Sequence, residues 1–253
     1  MGPEWKARYS NIDRHWRRIW AALGSASMIT GLARGKANDE EPPLRAELFS
    51  SDQMAQHGVR LATVHRLTAG RVQDPLLARL AANERGLIET CNQLTAAVSA
   101  KHRITPAGEW LLDNFYLTEE QIRTARRHLP KGYSRELPIL VGGPTSGLPR
   151  VYDIALETIS HGDGLVDPDN LSRFVTAYQT VTPLRLGELW AIPIMLRLAL
   201  IETLRRVAAR VMADGRARNE AARLAEAMTA TAGSDPKSVV LVVADMARSL
   251  PQM

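Results

Sequence analysis

Apolar residues recur every three or four positions along most of this chain, the spacing of helix faces rather than of strands. Near the N-terminus Trp5, Tyr9, Ile12, Trp16, Ile19, Trp20 and Leu23 form one such stripe. Residues 31–47 break the rhythm with Gly, mixed charge and Pro42-Pro43, which predicts a linker and a boundary near Pro43. Ser50 or Ser51 caps a predicted helix to about Leu67, with Met54, Val59, Leu61, Val64 and Leu67 as its apolar positions. Asp74-Pro75 opens a second helix in which Leu77, Leu80, Leu87, Cys91, Leu94 and Val98 keep a seven-residue pattern that only Glu84 interrupts. These two helices are expected to pair as a long antiparallel hairpin.

Thr105-Pro106 starts a helix through Trp110, Leu111 and Phe115. Thr118 with Gln121 reads as the capping box of the next, which buries Ile122, Ala125 and Leu129. Residues 130–149, rich in Gly and Pro, form an irregular connector and a place where the domain could subdivide. Val151–Ser160 is a short helix, and Asp167-Pro168 caps another to about Gln179. Thr182-Pro183 opens the longest pattern, Leu184–Val211, with Pro193 inside it. Proline costs a helix interior about 3 kcal/mol, so a kink or break is expected near Ile192. A polar helix to about Thr231 follows, then a last helix over Lys237–Leu250 behind Asp235-Pro236. Ser238–Val243 alone also suits a strand, but Met246, Ala247 and Leu250 continue the helical spacing. The fold class is all-α: a multi-helix bundle of antiparallel helices over 43–253, preceded by an amphipathic arm and linker over 1–42.

Charge sharpens the picture of the arm. The 253 residues carry a net charge of +5, and residues 1–36 account for all of it. A neutral body lacks the basic face that nucleic acid requires. A basic helix with an aromatic stripe has the character of an interfacial membrane helix, which makes Trp5, Tyr9, Trp16 and Trp20 candidate membrane-facing residues; docking on a protein surface is the alternative. The longest stretch free of charged residues, Ile19–Ala33, is too short and too polar to span a bilayer. A single cysteine, Cys91, excludes an intrachain disulfide, and its place among leucines reads as a buried, inert thiol.

Candidate chemistry is sparse. His57 and His65 lie about two turns apart on one helix, but no third ligand is close in sequence, so no metal site is expected. Asp163, Asp167 and Asp169 have the wrong spacing for a calcium loop and read as caps and turns. Gly142–Gly147 lacks the Lys-Ser/Thr ending of a phosphate loop. Glu109, Asp113, Glu119 and Glu120 offer paired carboxylates for work on a sugar, although Glu119 and Glu120 also suit a helix first turn and ion pairs with Arg123 and Arg127. Asp113-Asn114-Phe115-Tyr116 mixes polar and aromatic groups, which suits either a ligand contact or a buried polar network. No cofactor motif is present.

Several ordered motifs go beyond periodicity: Glu109–Arg123 (EWLLDNFYLTEEQIR), Leu129–Tyr133, Arg135–Pro138, Gly147–Tyr152 (GLPRVY), Phe174–Gln179 (FVTAYQ), Thr182–Ala191 (TPLRLGELWA) and Leu196–Arg206. Together they resemble the N-terminal segment of the cyclic β-1,2-glucan synthase family, from about Pro43 onwards. The resemblance implies a parent that is a large bacterial inner-membrane protein making cyclic glucan from UDP-glucose. It implies a helical segment joined to membrane helices, a glycosyltransferase domain and domains similar to sugar phosphorylases. The Gln-x-x-Arg-Trp element of such transferases does not occur here, so the expected role is a non-catalytic accessory domain, part of a synthase or of a shortened product. Its expected partners are the remaining synthase domains and the cytoplasmic face of the inner membrane. Within these motifs Asp113, Asn114, Tyr116, Glu120, Arg123, Tyr152, Tyr178, Glu188 and Trp190 are the candidate ligand or partner contacts. The alternatives are a stand-alone helical scaffold or glycan-binding protein at the membrane surface, and an enzyme using the Glu109–Arg123 region.

Overall fold

The computed structural model describes residues 47–68 and 75–234. The aromatic arm, most of the linker, the Asp74 cap and the helix expected at Lys237–Leu250 lie outside the described residues. The described residues form seven α-helices, one short 3-10 helix (Tyr133–Glu136) and one two-stranded ladder: α1 (Ser51–Val64), β1 (Leu67–Thr68), α2 (Pro75–Ser99), α3 (Pro106–Asp113), α4 (Phe115–His128), β2 (Ile139–Leu140), α5 (Arg150–His161), α6 (Pro168–Gln179) and α7 (Leu186–Ser234). The all-α class holds.

Local chemistry accounts for three of the seven α-helix starts. The Ser50 hydroxyl accepts from the Gln53 amide while the Gln53 side chain accepts from the Ser50 amide, a complete capping box for α1. Thr105 caps α3 by accepting from Gly108, with Pro106 in the first turn. Asp167 caps α6 by accepting from Asn170, ahead of Pro168. The α3–α4 junction differs from expectation. Asn114 folds its side-chain amide onto the Trp110 carbonyl at 2.8 Å, and α4 begins at once with Phe115. Thr118 therefore lies inside α4 rather than at its cap, fully buried, with its hydroxyl unpaired.

Tertiary pairing also departs from the sequence-based expectation. α1 does not form a hairpin with α2. It packs on α6, whereas α2 packs on α7 together with α3, α4 and α5. The approach of α1 to α6 requires Gly58: a Cβ there would stand 2.8 Å from both the Phe174 ring and the Phe174 carbonyl oxygen. Val59, Val64 and Leu67, expected inside, are exposed, and the buried face of α1 is Met54, Gly58, Leu61 and Ala62. Glu84, the break in the α2 pattern, reaches Arg126 of α4 at 2.5 Å.

The 130–149 connector contains two short elements with no signal in the pattern, the 3-10 helix Tyr133–Glu136 and β2. β1 and β2 pair antiparallel, with Leu67 opposite Leu140 and Thr68 opposite Ile139. Strands of two residues are too short for alternation to show. Gly142–Gly147 is a turn, closed by the Gly147 amide on the Leu140 carbonyl at 2.9 Å. Residues from both sides of the connector share one hydrophobic core.

α7 is a single helix of 49 residues, roughly 73 Å long at the standard rise. Of the kink or break expected near Ile192, the structure excludes the break: α7 runs through Pro193 and continues as the polar stretch expected to be a separate helix. Packing explains this. Ala191, Met195, Leu196, Ala199, Leu200 and Ile201 are all but inaccessible under α2, α4 and α5. Burying several such side chains at about 1.5–3 kcal/mol each exceeds the proline penalty.

Candidate functional site

Two polar constellations are built on α5, each joined to a histidine from α1 or its C-terminal end. The first combines residues from three segments. Glu157 and His161 are four apart on α5 and share a face. His57 comes from α1, placed there by the Gly58–Phe174 contact. His57 Nε2 is 2.7 Å and His161 Nε2 is 3.2 Å from the same oxygen, Glu157 Oε2. His161 Nδ1 lies 2.6 Å from the Glu47 carbonyl oxygen, so it carries a proton and donates there. The rings are braced: Phe49 stacks on His161 at 3.8 Å and 8°, and His57 stands edge-on to Phe49 and stacked over Phe174. Burial pushes the Glu157 carboxyl up, but hydrogen bonds from His161 and His57 outweigh it and hold it down to about 2. All three side chains keep a partly exposed edge.

The second constellation is interior. His65 lies between the Tyr178 hydroxyl, 2.8 Å from Nδ1, and Asp153 Oδ2, 2.9 Å from Nε2. Beside it Arg150 donates from Nε and Nη2 to both oxygens of Glu188, at 2.6 and 2.7 Å, and from Nη2 to the Pro183 carbonyl at 2.9 Å. The Arg150 guanidinium also sits over the Tyr178 ring, 5.9 Å from its centroid. Further along α7, Glu202 accepts two bonds from Arg79 and one from the Tyr152 hydroxyl at 2.6 Å. Burial and the Glu202 charge push the Tyr152 phenol well above its ordinary range, so it stays a donor. Asp153, Glu188 and Glu202, the three buried acids among the described residues, are each engaged by a base from another helix. Such pairs tie the end of α1, α2, α5 and α7 together, and the guanidinium groups of Arg150 and Arg79 balance the charges of Glu188 and Glu202.

Comparison with known proteins adds what geometry alone does not. The chain is 34% identical over 192 residues to the cyclic beta-(1,2)-glucan synthase NdvB of Rhizobium meliloti (strain 1021). The match takes in 76% of this chain and 7% of the length of that relative. Over the matched residues the chain is related to the cyclic β-(1,2)-glucan synthase family. No protein-family model matches it.

Within this relative of a synthase segment the candidate residues fall in three places. Tyr152, Tyr178 and Glu188 lie in the interior network, Tyr178 and Glu188 joined through Arg150 and Tyr152 bound to Glu202. Asp113, Tyr116, Glu120 and Arg123 are exposed around the α3–α4 corner, with Asn114 half-buried among them. Glu120 and Arg123 do not converge with the interior acids, and α4 is tied to α2 through Arg126 and Glu84 instead. Trp190 is exposed over 76% of its surface. Trp5, Tyr9, Trp16 and Trp20 lie outside the described residues. Among the described residues no helix is long and apolar enough to cross a membrane. Cys91 is buried, and burial together with Glu119 raises its thiol to about 11, which keeps it protonated.

The His57–Glu157–His161 cluster has no counterpart in the sequence reading. That reading paired His57 with His65, whose partners are Asp153 and Tyr178 instead. The available signal was the Glu-x-x-x-His spacing on α5, which gains meaning only once α1 supplies the second histidine from 100 residues away.

Proposed function

We propose that this chain is a non-catalytic accessory domain of a cyclic β-(1,2)-glucan synthase, a helical block that packs against the synthase's catalytic parts and needs no cofactor of its own. The observation that carries the reading is an apolar pair at the start of α7. Leu186 and Trp190, four apart on one face, are exposed over 68% and 76% of their surfaces. In a chain that matches 7% of its relative's length, such a pair suits a surface covered by another domain. Exposed tryptophans of this kind dominate the energetics of interfaces, at 2 kcal/mol or more apiece.

The test is binding between this chain and the remainder of a synthase, expressed separately. The wild type should bind, and Trp190→Ala should weaken the dissociation constant roughly 30-fold, the equivalent of about 2 kcal/mol. Unchanged affinity in that variant would remove the proposed surface. The chain alone, given UDP-glucose, should release no UDP; a release abolished by Glu120→Gln would instead make it an enzyme. This reading puts the chain at the cytoplasmic face of a bacterial inner membrane, with the basic arm on the lipid surface. Co-sedimentation with anionic liposomes should then fall when residues 1–24 are removed, and equal sedimentation of both forms would refute the role of the arm.

A further inference from the structure

We propose that His57, Glu157 and His161 form a binding site for a divalent transition-metal ion of the zinc class, held by two imidazole nitrogens and one carboxylate, with a further position open to solvent. The proposal is independent of the accessory-domain reading, since it concerns only residues of α1 and α5.

Four observations support it. The ligand atoms of the three side chains all lie within 4.8 Å of one another. Four-coordinate zinc with bonds of about 2.0–2.2 Å separates its ligand atoms by roughly 3.3 Å. The two imidazole–carboxylate distances, 2.7 and 3.2 Å, need only a small outward adjustment to meet that.

The donor pattern around His161 is the second observation. Its Nδ1 faces the Glu47 carbonyl oxygen, and its Nε2 faces the Glu157 carboxylate. Both neighbours only accept. With one proton on Nδ1, Nε2 can face the anionic oxygen only by carrying a second proton, which gives the hydrogen bond described above, or by binding a cation held between the two. An Nδ1–H bonded to a backbone carbonyl is also the outer-shell contact that fixes the tautomer and orientation of a metal-ligating histidine.

Third, the ligands are held before any ion arrives. Phe49 stacks on His161, Phe174 on His57, and Glu157 and His161 sit on one rigid helix turn. Such bracing reduces the ordering cost of binding. Fourth, the three side chains are 17%, 29% and 11% exposed, enough to admit an ion and to leave one position for water. Two histidines and one carboxylate with an open position is a donor set suited to zinc.

A second proton on His161 would satisfy the same geometry as an imidazolium–carboxylate pair, and the experiment separates the two. The full chain, stripped with EDTA and dialysed, is titrated with Co²⁺ and then with Zn²⁺. The proposal expects one equivalent of Co²⁺ to produce the visible bands of a four-coordinate site, and Zn²⁺ to abolish them. Calorimetry with Zn²⁺ should show affinity falling roughly 100-fold or more in Glu157→Gln and in His57→Asn, at or beyond the upper end of what loss of an outer-shell partner costs. His128→Ala, an exposed histidine outside the cluster, should bind as the wild type does. Long-range ¹H–¹⁵N spectra of the wild-type imidazoles give a readout that needs no variant: Zn²⁺ should shift the Nε2 signals of His57 and His161 and leave those of His65 in place. A folded wild type that binds no stoichiometric Co²⁺ or Zn²⁺ would overturn the proposal in favour of the imidazolium pair. Zinc affinity unchanged in Glu157→Gln, or unmoved His57 and His161 signals, would overturn it too.

Discussion

The Arg150–Glu188 pair offers a sharp test of how this fold is held. Their side chains are 3% and 1% exposed, so neither charge has water to turn to. Glu188 accepts three bonds: Arg150 Nε at 2.6 Å, Arg150 Nη2 at 2.7 Å and the Arg185 amide at 2.8 Å. Glu188→Gln keeps the shape and removes the charge. Whichever way the amide is turned, its NH₂ meets an N–H donor that had been satisfied, and the guanidinium is left buried without a counter-charge. Breaking a buried pair from one side costs about 3–5 kcal/mol. At about 2–4 °C per kcal/mol for a domain of this size, the melting temperature should fall by roughly 6–20 °C. Urea unfolding and scanning calorimetry of the full chain measure both quantities. The companion variant Arg150→Met/Glu188→Leu removes both charges and should recover most of the loss, because the cost lies in the orphaned charge rather than in the missing bond. A loss under about 1 kcal/mol in Glu188→Gln, or a double variant as damaged as the single one, would refute this reasoning.

Other sites make distinct predictions. Gly58→Ala drives a methyl group to 2.8 Å from the Phe174 ring and carbonyl, and should cost about 1–3 kcal/mol of overpacking in urea unfolding. Thr118→Val replaces a fully buried hydroxyl that has no partner with a methyl group of similar size, and should raise stability by about 1 kcal/mol in the same assay. Burial pushes the Glu202 carboxyl up, but the hydrogen bonds and charge of Arg79 and the Tyr152 hydroxyl outweigh it, leaving the group below its ordinary value. A depressed carboxyl contributes stability above the ordinary carboxylate pKa of about 4.3 and loses it as pH falls through the lower folded value. Melting temperature against pH should therefore drop on the acid side, and the drop should be shallower in Arg79→Gln.

How much of this was legible depends on the range of the interaction. Helix starts were readable because a cap is a contact over three residues: Ser50 with Gln53, Thr105 with Gly108, Asp167 with Asn170. The heptad of α2 was readable because its leucines share a face whatever partner covers them. Thr118 misled for the same local reason. A capping box is two residue types at a fixed spacing, and nothing nearby in sequence says that Asn114 has already turned the chain. Pro193 does not break α7 because its penalty is local, whereas the burial that overrides it comes from α2, α4 and α5.

By itself, then, the sequence determined the all-α class, three of the helix caps, much of the α2 apolar face and the relation to the synthase family, since each is carried by residue types at short, fixed spacings or by motifs in order. The tertiary structure alone decided which faces meet. It set α1 on α6 rather than on α2, matched Arg150 to Glu188 and Arg79 to Glu202, and brought His57 to Glu157 and His161. Those contacts join residues 38 to 123 positions apart. No periodicity records which distant surface a face will meet, because the choice is made by close packing and charge pairing once all the helices compete for the same core.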